Sequence, residues 1–286
     1  MKIILIGARG MLGTDLLAMS QAAGLDCLGL DLPEVDITSA ASLRAAMPRA
    51  CDWVINCAAY TDVDGAESHP QQAMAINCEG PRLLARWCRQ QQARLLHVST
   101  DYVFAGDRPH PYGETHLPRP LGQYGASKWA GEQALAAEGA AHLIVRTQSL
   151  FGRHGKNFVR TIAERLRSAP TEPLRVVNDQ FSAPTYTRHL AEALLRLLPL
   201  ERTGVVHVAA TGSCSWFEFA RAIAQSLDAA TPIEPVPAAT YARPARRPAF
   251  SVLDTWRYQL WTGCRLPDWR AGLTAYLQET NGLSAQ

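Results

Sequence analysis

The strongest constraint on the fold lies in the first thirteen residues. Lys2-Ile3-Ile4-Leu5-Ile6 is a continuous, β-branched apolar run, and Gly7-Ala8-Arg9-Gly10-Met11-Leu12-Gly13 follows it directly. The run is too short for a helix or for the apolar core of a signal peptide, so it predicts a buried strand. Glycines at 7, 10 and 13 permit a tight strand-to-helix turn and a close approach of phosphate to the backbone. The helix that opens there offers free N–H groups and the positive end of its dipole. Asp31 follows Gly13 by 18 residues, at the end of the next apolar run. A carboxylate there can accept hydrogen bonds from ribose hydroxyls, so the segment predicts a dinucleotide-binding turn.

The rest of the first half repeats the alternation. Strands are expected at residues 2–6, 27–30, 53–56, 95–99 and 142–146. Helices are expected at 11–22, 39–47 and 124–138, with one long helix or two over 66–92. Continuous apolar strands separated by helices imply a parallel sheet covered on both faces. The expected fold is therefore α/β, a Rossmann-type doubly wound parallel sheet with a smaller C-terminal lobe. Residues 1–150 would bind a dinucleotide. Residues 151–286 would mainly bind substrate, with some segments returning to the main sheet. In that half helices are expected at 157–167, 187–198, 215–227 and 268–278, and strands at 174–177 and 205–209. Ligands in such folds lie outside the carboxyl ends of the strands, where the lobe would close a cleft.

Composition narrows the function. The chain has 286 residues, is 47% hydrophobic and carries a net charge of +2, which argues against a nucleic-acid partner. It has no run of about 18 apolar residues, so no membrane span is expected. Its seven cysteines are odd in number and contain no C-x-x-C pair. Reduced thiols in a cytoplasmic protein are the expectation, and no metal site is predicted. Of 28 basic residues only Lys2, Lys128 and Lys156 are lysines, which makes a lysine within a motif informative.

Lys128 closes such a motif, Tyr124-Gly125-Ala126-Ser127-Lys128. The spacing puts both side chains on one helix face. A phenol of pKa about 10 is a poor proton shuttle at neutral pH, and a nearby ammonium would lower that value. Thr100 ends the fourth expected strand, where its hydroxyl can polarise a carbonyl. Arg9 could reach a ribose 2′-phosphate, which favours NADPH. Asp31 would repel that phosphate, which favours NADH. Asp36 caps the next helix or, with Ile37, frames an adenine.

These motifs together resemble the extended short-chain dehydrogenase/reductase superfamily, and within it the dTDP-4-dehydrorhamnose reductases. The resemblance is carried by the glycine turn, Asn56-Cys57-Ala58-Ala59, Ser99-Thr100-Asp101-Tyr102-Val103-Phe104 and the Tyr124–Lys128 pair. Tyr60-Thr61-Asp62-Val63-Asp64-Gly65-Ala66-Glu67, Asn157-Phe158, Asn178-Asp179-Gln180-Phe181-Ser182-Ala183-Pro184-Thr185, Ala245-Arg246-Arg247-Pro248 and Leu266-Pro267-Asp268-Trp269 extend it along nearly the whole chain. The resemblance implies Tyr124 as proton donor, with Lys128 and Thr100 as its catalytic partners. It implies an NADPH or NADH site at Gly7, Gly10, Met11, Leu12, Gly13, Asp31, Asp36, Ile37, Ala59, Tyr60, Thr61, Val98, Tyr124 and Lys128. It implies a nucleotide-sugar site at Val63, Thr100, Asp101, Tyr124 and Ser149. Arg246 and Arg247 are expected at the sugar nucleotide's diphosphate, because guanidinium forks suit phosphate oxygens. A monomer or homodimer is expected.

Two departures stand out. Ser149 occupies a position where the family often has a tryptophan that packs on the sugar. Arg188 stands where some members have a glutamate for a dimer-bridging metal. Tyr102 follows Asp101 directly, so the acid–base pair of a 4,6-dehydratase is missing. A nucleotide-sugar epimerase and a non-catalytic, NADP(H)-binding regulatory subunit like the methionine adenosyltransferase β-subunit are the alternatives to a reductase.

Overall fold

The computed structural model describes residues 1–48, 50–168 and 172–281. The first half contains β1 (Lys2–Ile6), α1 (Met11–Ala22), β2 (Asp26–Leu30), α2 (Ala40–Ala46), β3 (Trp53–Asn56), α3 (Val63–Ser68), α4 (Pro70–Met74), α5 (Gly80–Gln91), β4 (Arg94–Thr100), α6 (Gln123–Ala137) and β5 (His142–Thr147). The second half contains β6 (Leu150–Phe151), α7 (Phe158–Arg167), β7 (Leu174–Val177), β8 (Phe181–Ser182), β9 (Thr185–Tyr186), α8 (Thr187–Leu197), β10 (Gly204–His207), β11 (Cys214–Ser215), α9 (Trp216–Ser226), β12 (Ile233–Val236), α10 (Trp256–Thr262) and α11 (Trp269–Asn281).

Six strands form the main sheet in the order β10-β5-β4-β3-β1-β2, every neighbouring pair parallel. The strand order reverses between β1 and β3, which opens a crevice beyond Ile6 and Asn56. Side chains of β1 alternate between the two faces. Ile3 and Leu5 pack with Leu12 and Leu16 of α1 and with Leu190, Leu194 and Leu197 of α8. Ile4 and Ile6 pack with Leu83, Leu84 and Trp87 of α5 and with Leu135 of α6. Each of these side chains contributes roughly 1.5–3 kcal/mol by leaving water. The sheet is thus covered on both sides, as its apolar runs imply.

The second half divides its elements. β10 joins the main sheet beside β5, and α8 covers the sheet against α1. The lobe proper has its own core, where Phe151, Tyr186, Phe219 and Trp269 pack among α7, α9 and α11. Its strands are short pairs: β7 with β12, β8 with β11 and β6 with β9.

The segment expected as one helix or two over 66–92 is two: α3, then after His69 a continuous helical run in which a π turn (Ala75–Glu79) joins α4 to α5. Pro70 starts α4 and Pro81 lies in the first turn of α5. Within the π turn, Asn77 accepts from Tyr60 N at 2.9 Å and donates to Tyr60 O at 3.0 Å. It also donates to Ser127 Oγ at 3.0 Å. The extra residue of the π turn therefore aims one amide at the loop after β3 and at α6, a common use of π turns near functional sites. α10 lies just beyond the proline-rich stretch, where no helix was expected.

Candidate active site

The glycine turn is built for backbone only. Gly7 has φ of +80°, and a Cβ there would come within 2.6 Å of Ala58 N. A Cβ at Gly13 would come within 2.0 Å of Gly7 O. Gly10 caps α1 without a side-chain bond, and the first turn of α1 carries no acid. The result is an open helix N-terminus beside the crevice, suited to the phosphates of a dinucleotide.

Just after β2, Asp31 accepts from Arg9 N and Leu32 N, both at 2.8 Å. The Arg9 guanidinium does not stand free. It donates to Leu32 O and forms an ion pair with Glu34. Both partners are solvent-exposed, and Arg9 holds the Glu34 carboxyl below its usual range.

Seventeen of the residues expected in the site line one cleft of ≈ 1060 Å³. They are Gly7, Gly10, Met11, Leu12, Gly13, Asp31, Asp36, Ile37, Ala59, Thr61, Val63, Val98, Thr100, Asp101, Tyr124, Lys128 and Ser149. Tyr60 lies outside that lining, where Asn77 clamps its backbone. Arg246 lines a narrow side recess with Glu67, Tyr102 and Tyr124. The Arg247 fork is already committed to Asp64, at 3.1 and 2.8 Å. That pair fastens the loop around 247 to α3, whereas Arg246 makes no ion pair among the described residues.

Thr100, Tyr124 and Lys128 all line this cleft. Thr100 Oγ1 donates to Asp101 Oδ1 at 3.1 Å and accepts from Tyr102 N at 3.1 Å. The Tyr124 phenol faces the Thr100 hydroxyl. Burial pushes Tyr124 up to about 12, against the pull of Thr100 and with help from Asp101. The expected lowering of this phenol by Lys128 is absent here, because Lys128 Nζ points to strand β4. It donates to Val98 O at 2.8 Å and lies 3.4 Å from His97 Nε2. A phenol held protonated is the form that gives a proton away. Burial also raises Asp101 to about 7, against hydrogen bonds from Ser251 and Thr100.

Beneath this trio lies an ion pair that sequence reasoning did not single out. Arg146 of β5 and Glu132 of α6 meet at 2.6 Å with side chains 2% and 1% exposed. Ser99 Oγ donates to the same carboxylate at 2.6 Å, and Phe104 and Trp129 flank the guanidinium. The pair fixes α6 against β4 and β5, and so sets where Tyr124 stands relative to Thr100.

The far end of the cleft is built from separate loops. Ser149 has φ of +45°, a left-handed conformation, and its hydroxyl bonds that of Ser182. Gln148 donates to Ser251 O at 2.8 Å and accepts from Ala183 N at 3.1 Å. Trp216, the first residue of α9, lines the cleft and packs on Phe158, with ring centroids 4.7 Å apart. Lys156 and Gln72 also line it. Trp216 and Lys156 were missed from sequence. Lys156 did carry a signal as one of three lysines, whereas Trp216 read only as part of an amphipathic helix.

The switched strand order, the glycine turn and the hydroxyl–phenol–lysine trio define a Rossmann-type protein of the extended short-chain dehydrogenase/reductase class. More narrowly, the chain belongs to the RmlD substrate binding domain family, whose sequence profile matches residues 1–281. It is 42% identical over 283 residues to a dTDP-4-dehydrorhamnose reductase of Mycobacterium tuberculosis, covering 96% of this chain and 92% of that one. It is 38% identical over 281 residues to a dTDP-4-keto-6-deoxy-D-glucose reductase of Streptomyces niveus, covering 95% and 94%. Among solved structures, the dTDP-4-dehydrorhamnose reductase of Bacillus anthracis in complex with NADP superposes with a TM-score of 0.92 at 36% identity, covering 98% of this chain and all of that one.

Proposed function

We propose that the protein is an NAD(P)H-dependent oxidoreductase that reduces the 4-keto group of a dTDP-4-dehydro-6-deoxyhexose, namely dTDP-4-dehydro-L-rhamnose to dTDP-L-rhamnose. The observation that carries the reading is the single cleft. It joins a phosphate-ready glycine turn to a protonated phenol and a hydroxyl, in a chain 42% identical to a reductase of that name. The substrates named for the two relatives share a C4 ketone on a dTDP-bound deoxyhexose, and the proposal rests on that common element.

The residues fit a nicotinamide cofactor, since the turn admits backbone and phosphate but no side chain. When bound, the cofactor supplies a hydride to C4 of the sugar. Thr100 holds the C4 oxygen, and Tyr124 gives it the proton as negative charge develops there. Lys128 holds the nicotinamide ribose and balances the phenolate left behind. Residues 1–150 would carry the cofactor and 151–286 mainly the sugar nucleotide, with Ser149 and Trp216 beside the sugar and Arg246 toward its diphosphate. We place the enzyme in the cytoplasm, as a monomer or homodimer with reduced thiols. Among the described residues no helix is long and apolar enough to cross a membrane, and none of the seven cysteines is in a disulfide.

The test is absorbance at the nicotinamide band with dTDP-4-dehydro-L-rhamnose, run separately with NADH and NADPH. Rapid oxidation with either cofactor is expected. Cofactor binding without oxidation would overturn the reading and favour a regulatory subunit.

A further inference from the structure

Lys128 is proposed to hold a ribose, but its hydrogen-bonding neighbours lie in the sheet, on β4. Asn56 ends β3 and His97 lies beside it on β4, both fully buried. The amide of Asn56 has one allowed orientation, because its Oδ1 accepts from Ala58 N at 3.1 Å. Its Nδ2 therefore faces His97 Nδ1, at 3.0 Å. An amide NH2 only donates, so Nδ1 must accept and the ring hydrogen belongs on Nε2. That Nε2 lies 3.4 Å from Lys128 Nζ. An ammonium has three donors and no lone pair, so it cannot bond to an N–H. A neutral amine can: one N–H goes to Val98 O at 2.8 Å, and the lone pair accepts from His97.

We propose that Asn56 and His97 are positioning residues, locking the His97 ring in its Nε2–H form and so favouring the neutral amine of Lys128 over its ammonium, without removing the charge at neutral pH. The inference rests on the reading of Lys128 as a cofactor-end residue. The other groups that face Lys128 leave room for it. Glu132, one turn along α6, favours the ammonium, but its charge is already matched by Arg146. Cys57, after β3, is a thiol raised to about 12 and is uncharged. Tyr124, on α6, is a protonated phenol. Burial, the largest influence, brings Lys128 down to about 8, and His97 is held well below its ordinary value, so the ring is neutral. The functional consequence is a cofactor site whose cation switches off above pH 8.

Histidine 15N spectra of the full-length protein give the tautomer directly, with His97→Leu used to assign one of the eight histidine signals. The expected wild-type signal is the Nε2–H form, and an Nδ1–H signal overturns the proposal. Asn56→Leu removes the donor to Nδ1, and Asn56→Asp replaces it with an acceptor. Both should turn His97 to the Nδ1–H form. NADPH affinity is followed by fluorescence from pH 6 to 10. In wild type the affinity should weaken above about pH 8. In each Asn56 variant the midpoint should move up by about one unit. An unmoved midpoint with a switched tautomer overturns the coupling, as does a tautomer that does not switch. If Asn56→Leu fails to fold, Asn56→Asp carries the test. None of these readouts uses a sugar, so a failure of the proposed reductase reaction would appear separately, as absent turnover.

Discussion

The two ends of the cleft are made from different material. The end proposed for the cofactor is mostly backbone: three glycines, a helix N-terminus and one carboxylate, drawn from residues 7 to 31. The end proposed for the sugar is side chain: Ser149, bonded to Ser182, and Trp216, which are far apart in the chain. A backbone site tolerates no added atom, because each new Cβ meets a main chain that cannot move aside. A side-chain site can be refitted by exchange at its rim. On the proposed assignment, the first end sets the chemistry and the second is free to set the substrate.

Tyr124 stands where the ends meet, and its loss should give the largest effect. Tyr124→Phe should lower kcat by about 10²–10⁴ while NADPH affinity, measured by fluorescence, stays unchanged. At the backbone end, Gly13→Ala places a methyl 2.0 Å from Gly7 O. It should weaken cofactor binding by about 100-fold, and a variant within about threefold of wild type would break the contrast between the ends. At the side-chain end, Trp216→Ala should raise KM for the sugar nucleotide about tenfold, from loss of an aromatic face, with cofactor affinity unchanged. A change in cofactor affinity instead would put Trp216 at the wrong end.

Smaller effects sharpen the picture. Glu34→Gln frees the Arg9 guanidinium and removes a negative charge near the ribose. It should raise the NADPH-to-NADH ratio of kcat/KM by about three- to tenfold, with a smaller gain at high salt because both groups are exposed. Asp101 gives the smallest expected effect, read in stability. Its folded-state pKa is raised to about 7 from an ordinary 3.8, so the folded state binds more protons between those values. The stability this group contributes is fully present below about pH 4 and is lost as pH rises through 7. Asp101→Asn should remove that decline, making the variant more stable than wild type at pH 8 by ~1–3 kcal/mol relative to the difference at pH 4. Thermal unfolding at the two pH values checks this.

Legibility in the sequence follows the same division. β1, the glycine turn, α1 and β2 were readable because local sequence dictates them: an apolar run, obligatory glycines, then helical spacing. Tyr124 and Lys128 were readable because four residues of helix place them on one face. What failed needed partners distant in sequence. The periodicity of α9 shows that Trp216 is on a helix but not that its indole turns to Phe158 and the cleft. Arg246 and Arg247 look equivalent in sequence, and only the fold brings Asp64 to Arg247. The direction of Lys128 depended on His97, whose role arises from its pairing neighbour on β3. The break before Pro70 had its signal in that proline, but the π turn within the second helix answers to Tyr60, outside it.

The Arg146–Glu132 pair has a consequence for how such an enzyme can change over generations. Removing one partner leaves a bare charge in the core, at about 3–5 kcal/mol, which is a large part of a domain's whole margin. Replacing both by apolar residues of matching volume need not be harmful, but that state is two substitutions away, across a poorly folding intermediate. The catalytic helix is therefore inherited in one register. On the proposed assignment, new substrate ranges would be reached by drift around Ser149 and Trp216, while Tyr124 stays in place.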